Sequence, residues 1–256
     1  MTLPRRQRPK VLHFVTGGFS GATQVAVDLV RAHGASGRFD ALLVLRRKRT
    51  TLPERVRALQ ADGLRVELVP GWSHAATVWA LASLCRRFQP DILVAHGYSE
   101  HLWGRYAGLL AGVRHLVHVE HNSRERYNAW RLVQARWLAR RTDAIVGCSE
   151  GVRSALLGYG FPQDRVHAIP NGIRLEPYAN APAHTFVQRI PGIVMAARFA
   201  RQKDHATLLQ AVALLRTRGL RPPVLLAGGG KASARRAAER LAQTLGLADQ
   251  VTFLGH

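Results

Sequence analysis

Short apolar runs alternate along this chain with longer segments of helical spacing. Runs rich in valine, leucine and isoleucine predict strands at 11–15, 40–45, 65–69, 91–95, 116–120, 144–148 and 166–169. Between them, apolar residues recurring every three or four positions predict helices at 22–33, 53–61, 75–88, 100–110, 124–140 and 151–157. Runs that stay apolar throughout suit strands buried on both faces, as in a parallel sheet covered by helices. Seven strands joined by helical crossovers make a doubly wound α/β domain within the first 173 residues.

The texture then changes. Residues 174–190 carry Pro177, Asn180, Pro182 and His184 without a clear period, which is linker composition. The alternation restarts over 191–256, with strands expected at 193–197, 224–227 and 251–254 and helices at 206–216 and 232–245. Three strands form a small sheet with one face poorly covered, so this second Rossmann-like domain is expected to be incomplete.

Composition narrows the class. Hydrophobic residues are 47% of the chain and charged residues 21%, which is globular rather than disordered. No run approaches the ~20 apolar residues that span a bilayer, and the basic amino terminus lacks a secretory apolar stretch. There are 37 basic and 16 acidic residues, a net charge of +21, and only Lys10, Lys48, Lys203 and Lys231 are lysines. Such a field draws anionic headgroups, nucleic acid or phosphorylated substrates. The arginines are scattered and no reader motif accompanies them, so no nucleic-acid partner is expected. Cys85 and Cys148 stand far apart in no metal-ligand spacing, so no metal and no disulfide framework are expected. A cytoplasmic protein, soluble or peripheral on the inner membrane face, fits these features.

Candidate chemistry collects where strands give way to helices. The run 192–197 ends at Arg198, a short loop carries Lys203, and a helix opens at Asp204. Two cations at the carboxyl end of a strand suit a phosphorylated ligand, because guanidinium and ammonium groups bond phosphate oxygens with charge assistance. Gly17, Gly18 and Gly21 lie between the first strand and first helix, where a missing Cβ lets backbone N–H groups approach a ligand; an empty glycine turn is the alternative. Gly228 and Gly230 follow a later strand and serve either a nucleotide or helix packing. His121 ends the fifth strand, and His96 sits in the preceding strand-end motif. Ser149 is placed to cap a helix.

Taken in order, Gly17-Gly18-Phe-Ser-Gly21, Pro90-Asp91-Ile-Leu-Val-Ala-His96-Gly97, Glu120-His121-Asn122, Asp143-Ala-Ile-Val-Gly-Cys-Ser149-Glu150, Ile169-Pro170-Asn171-Gly172-Ile173 and the Arg198/Lys203 loop, continued by Leu226-Ala-Gly228-Gly-Gly230 and Val251-Thr-Phe-Leu-Gly255, form an ordered set. The set resembles the family 4 (group 1) glycosyltransferases, retaining enzymes built from two facing Rossmann-like domains, the GT-B fold. The resemblance implies transfer of a sugar from a nucleotide-diphosphate-sugar donor to a cell-envelope polysaccharide or lipid-linked acceptor. It implies that Arg198 and Lys203 hold the donor diphosphate, that His121 contacts the transferred sugar, that Gly17, Gly18 and Gly21 line the cleft, and that Gly228 and Gly230 lie near the nucleotide. No cofactor or metal is implied, since two cations neutralise the leaving group. Similar enzymes carry, beyond the Phe-Leu-Gly strand, two glutamates separated by seven residues. That motif would fall past residue 256, so the chain is expected to be truncated. The alternative function is a non-catalytic remnant or basic binding module.

Residues 124–141 interleave arginines with Tyr127, Trp130, Val133, Trp137 and Leu138 near helical spacing. Either this helix packs into the core with solvated arginines, the favoured reading, or it lies in an anionic membrane interface.

Overall fold

The computed structural model describes residues 8–123, 127–176, 179 and 191–255. The chain divides into two compact units, Met1–Pro177 and Tyr178–His256. Most of the expected linker, residues 177–178 and 180–190, lies outside the described residues.

The first unit alternates β1 (Lys10–Thr16), α1 (Gly21–Ser36), β2 (Asp40–Arg46), α2 (Pro53–Ala61), β3 (Val66–Val69), α3 (His74–Phe88), β4 (Ile92–His96), α4 (Tyr98–Ala111), β5 (His115–Glu120), α5 (Ala129–Ala139), β6 (Ala144–Gly147), α6 (Glu150–Gly158) and β7 (Val166–Ala168). The strands form one parallel sheet in the order β3-β2-β1-β4-β5-β6-β7. Leu12 and Phe14 of β1 pack with Leu81 and Cys85 of α3 and Ala107 of α4, while Val15 packs with Val27 and Val30 of α1. Apolar side chains on alternate positions therefore leave β1 in opposite directions, and each set is buried beneath helices. Full burial of a side chain such as Phe14 contributes about 2–3 kcal/mol. The strand order reverses between β1 and β4, the switch point at whose carboxyl edge an open α/β sheet leaves a crevice.

In the second unit, β8 (Ile193–Ala196), β9 (Val224–Ala227) and β10 (Val251–Gly255) form a parallel sheet in the order β10-β9-β8, with α7 (His205–Thr217) and α8 (Ala232–Thr244). Leu209 and Val212 of α7 and Ala238 and Ala242 of α8 bury one sheet face through Val224 and Leu226. The alternate positions point away from that core, leaving Val194 67% exposed and Leu254 58% exposed. The poorly covered face expected from the pattern is present.

One helix departs from expectation. The spacing predicts a helix from residue 124, but α5 starts at Ala129, because Asn128 adopts an extended conformation and its side chain accepts a hydrogen bond from the Arg131 backbone N–H. Residues 124–126 lie outside the described residues. The helix packs into the core through Ala135, Leu138 and Ala139, with Tyr127 against the same cluster, but not all of its aromatic residues take part. Ala135, Leu138 and Ala139 are buried, whereas Trp130, Val133 and Trp137 face solvent along one stripe. The aromatic stripe is therefore the outer face.

Candidate functional site

The carboxyl edge of the first sheet gathers the chemistry. Gly17 follows β1 directly, and its backbone N–H donates to the carbonyl of Arg46 at 2.8 Å. A Cβ on Gly17 would stand 2.7 Å from that oxygen and from the Thr51 hydroxyl, so only glycine lets the two loops touch. Gly18 would accept a Cβ in ordinary contact, and Gly21 faces open space at the start of α1. Ser20 and Thr23 close the helix start: Ser20 N–H donates to Thr23 Oγ1, which donates to the Thr16 carbonyl. Of the three glycines expected in this loop, Gly17 serves the fold, while Gly18 and Gly21 are exposed.

Across the switch point lies a line of imidazoles. His13 lies mid-strand in β1, His96 ends β4, and His121 follows β5. His13 Nδ1 is 3.0 Å from His96 Nε2, and His96 Nδ1 is 3.4 Å from His121 Nε2. Burial drives these rings toward neutrality: His13 is pushed down to about 3 with a further push from His33, His96 falls well below the ordinary histidine value with the charges of His13, His121 and His118 adding to burial, and His121 is lowered by burial against the opposing pull of Glu120. Neutral rings in series must alternate donor and acceptor nitrogens, so the tautomer of His96 sets that of His121. The sequence treated His96 as the weaker candidate; in the fold it is the neighbour that orients His121.

Beneath His121 lies a polar network that the sequence reading missed. Glu120 Oε1 accepts hydrogen bonds from the backbone N–H groups of His121 at 2.8 Å and Asn122 at 3.2 Å, fixing the turn that presents the imidazole. Its other oxygen lies 3.5 Å from His118 Nε2. His118 in turn stacks on His101, whose Nδ1 is 2.5 Å from Arg105 and whose Nε2 is 2.8 Å from the Tyr127 hydroxyl. Arg105 also donates to Thr142 at 3.0 Å and is fully buried. Burial lifts the Glu120 carboxyl to about 7 and depresses His118 well below its ordinary value. A sequence signal existed: His118 and Glu120 share one face of β5, and His101 and Arg105 are one helical turn apart on α4.

Donor atoms of His101, His118 and Glu120 lie within 4.8 Å of one another. They suit a metal ion poorly, because both His101 nitrogens are engaged and the Arg105 guanidinium occupies the same buried space. Ser149 is what its position suggested, a cap whose Oγ accepts from the Val152 N–H.

In the second unit, Arg198 lies two residues beyond β8 and Lys203 ends a single 3-10 turn before α7. Both are exposed, and neither forms an ion pair among the described residues. The nearby carboxylate of Asp204 is engaged with the N–H and hydroxyl of Thr207, capping α7. A Cβ on Gly228 would lie 2.1 Å from the Ala197 carbonyl, and one on Gly230 2.6 Å from the Phe199 carbonyl. Helix packing is thus not what these glycines serve. They let the loop after β9 press against the backbone on either side of Arg198, with Phe199 N–H donating to the Gly229 carbonyl at 2.6 Å. Arg198 is consequently presented from a rigid backbone.

Comparison with known proteins places this arrangement. Residues 19–177 match the sequence profile of Glycosyltransferase Family 4. The Bacillus subtilis (strain 168) protein EpsF, named as a glycosyltransferase, is 30% identical over 268 residues, a match covering 96% of this chain and 68% of EpsF. Among solved structures, Anabaena Alr3699/HepE in complex with UDP and glucose matches with a TM-score of 0.78 at 19% identity, over 97% of this chain and 69% of that one. A glycosyltransferase from Rickettsia africae matches with a TM-score of 0.77 at 13% identity, over 98% and 69%. The two structural matches extend over nearly the whole chain and show the GT-B fold, and the profile match together with the EpsF match establishes that this chain belongs to glycosyltransferase family 4.

Proposed function

We propose that this glycosyltransferase takes its sugar from a nucleotide-diphosphate donor, held by the second unit through Arg198 and Lys203, and transfers it with retention to a cell-envelope glycan or lipid-linked acceptor. The carrying observation is a pair of exposed cations without partners among the described residues, on a glycine-braced loop at a strand's carboxyl end. HepE, the structural relative, has been solved with UDP and with UDP-glucose. In the proposed step the bond from the anomeric carbon to the β-phosphate oxygen breaks while an acceptor hydroxyl oxygen attacks the same face of the sugar. The hydroxyl proton passes to the departing phosphate oxygen. Negative charge grows on the diphosphate as the bond opens, and two fixed cations stabilise it without a metal ion. His121, oriented by His96 and held by Glu120, contacts the sugar.

The experiment is calorimetry of the chain with UDP, GDP and ADP and their glucose conjugates. One nucleotide should bind, and Arg198→Ala should weaken it at least tenfold, about 1.4 kcal/mol. Unchanged affinity in that variant would remove the donor assignment. If no nucleotide bound, a basic binding module would be the better reading.

Peripheral membrane attachment is part of the same proposal. No described helix is long and apolar enough to cross a membrane. Trp130, Val133 and Trp137 instead form an exposed stripe on α5 beside Arg136, Arg140 and Arg141, the composition of an interfacial helix.

A further inference from the structure

The loop that carries Arg198 and Lys203 is closed at its base by two rings. Phe199 follows the first cation and His205 comes two residues after the second. Their ring centroids stack 4.4 Å apart at an interplanar angle of 21°. Both side chains are buried, whereas Arg198 before the pair, and Arg201 and Lys203 within it, are exposed. Phe199 belongs to the core of the second unit with Leu209, Val224 and Leu226, and it also stacks on Phe253 of β10.

The backbone between the rings is fixed as well. Lys231 N–H donates to the Phe199 carbonyl at 3.3 Å, which adds to the bond that Phe199 N–H gives Gly229. Lys203 N–H donates to the Ala200 carbonyl at 2.9 Å and Asp204 N–H to the Arg201 carbonyl at 3.2 Å, closing the 3-10 turn. Asp204 then takes a left-handed conformation at φ +50°, uncommon for a residue with a Cβ. Such a conformation persists where the surroundings hold it, and here the Thr207 donors and the stacked His205 do so. His205 Nε2 is buried without a hydrogen-bond partner among the described residues. An unpaired buried nitrogen costs stability, so what His205 supplies is the flat face laid on Phe199, not a polar contact.

We infer that Phe199 and His205 form a clasp that sets the spacing of Arg198 and Lys203, and that His205 is a positioning residue for the donor diphosphate. The inference rests on the proposed donor site and names what holds that site in shape. A diphosphate presents two linked phosphoryl groups, and two cations match both only when each stands within about 0.5 Å of its place. Long cationic side chains on a loosened loop still attract a single anion but lose the matched pair. His205 is buried and acts through the loop, not by touching the ligand.

The test is calorimetry of the whole chain with inorganic pyrophosphate and inorganic phosphate in metal-free buffer, read as the ratio of the two affinities. His205→Ala should lower that ratio at least fivefold, and His205→Phe, which keeps the stacked ring, should hold it within twofold of the parent. Should His205→Ala fail to fold, His205→Leu fills the same space without a flat face and carries the same expectation. Val212→Ala opens the same core on α7 away from the loop; it should lower the melting temperature yet leave the ratio within twofold. An unchanged ratio in His205→Ala or His205→Leu would overturn the clasp, as would an equal loss in Val212→Ala or a failure of His205→Phe to restore binding. Arg198→Ala separates the two readings. A lower ratio there with none in the His205 variants would sink the clasp alone, while no change in Arg198→Ala would sink the donor site and the clasp with it.

Discussion

Replacing Glu120 by glutamine isolates what this carboxylate costs and what it holds. Its side chain is 1% exposed, and burial outweighs the two backbone N–H groups and the nearby His121 and Arg105, lifting the carboxyl from 4.5 to about 7. Between those values the folded chain keeps a proton that the unfolded chain has lost. Stability from this group is therefore greatest in acid and declines as pH rises through the window, with the full cost present above pH 7. A shift of that size corresponds to about 3 kcal/mol. Glutamine never ionises, yet its Oε1 still accepts from the His121 and Asn122 N–H groups. Glu120→Gln should then be more stable than the parent by up to about 3 kcal/mol at pH 8.5, with the advantage falling below about 1 kcal/mol near pH 5. Urea unfolding of both proteins, followed by tryptophan fluorescence at half-unit pH steps, measures the difference directly. A difference that does not change with pH would refute the argument that Glu120 is held protonated by burial. Glu120→Ala is the contrast: it strips the acceptor from two backbone donors and should destabilise at every pH by at least about 2 kcal/mol.

The buried histidines act with the opposite sign. His13, pushed down to about 3, stays neutral in the fold while the unfolded chain protonates below 6.5, so it alone should cost about 2 kcal/mol of stability between pH 8 and pH 5; His13→Asn should flatten the denaturation profile by that amount. Gly228→Ala forces a Cβ to 2.1 Å from the Ala197 carbonyl at φ +152° and should destabilise by about 3 kcal/mol in thermal unfolding, whereas Gly21→Ala, with open space around it, should stay within about 0.5 kcal/mol of the parent. Vesicles containing phosphatidylglycerol should co-sediment the chain in low salt, and Trp130→Ala with Trp137→Ala should reduce the bound fraction about fivefold; co-sedimentation indifferent to salt and to anionic lipid would remove the membrane assignment.

Much of this fold was legible because its strands are buried on both faces. Runs such as Leu42–Leu45 have no polar position to confuse the period, and each is followed by a turn residue and an amphipathic stretch. The exposed face of the second sheet was legible for the same reason: three strands with only two crossover helices cannot be covered twice. Side-chain assembly was harder to read. His101, His118 and Tyr127 belong to α4, β5 and the segment before α5, and only strand order tells which of twelve histidines meet. On α5 the spacing could not say which of its apolar residues turn inward. Leu138 of that set faces the core with the small Ala135 and Ala139, while the tryptophans face out. Gly71 carried no visible signal at all, since its necessity comes from the Arg47 carbonyl oxygen, 1.7 Å from where its Cβ would stand.

The bare side of the three-stranded sheet has a thermodynamic consequence. A layer with helices against only one surface loses less apolar contact when it opens, so the second unit should melt before the seven-stranded one. Anything gripped by the Arg198 loop binds only the closed form, and mass action then raises the lower transition while leaving the upper one in place. Ligand occupancy of this half of the molecule is thereby written into its melting curve.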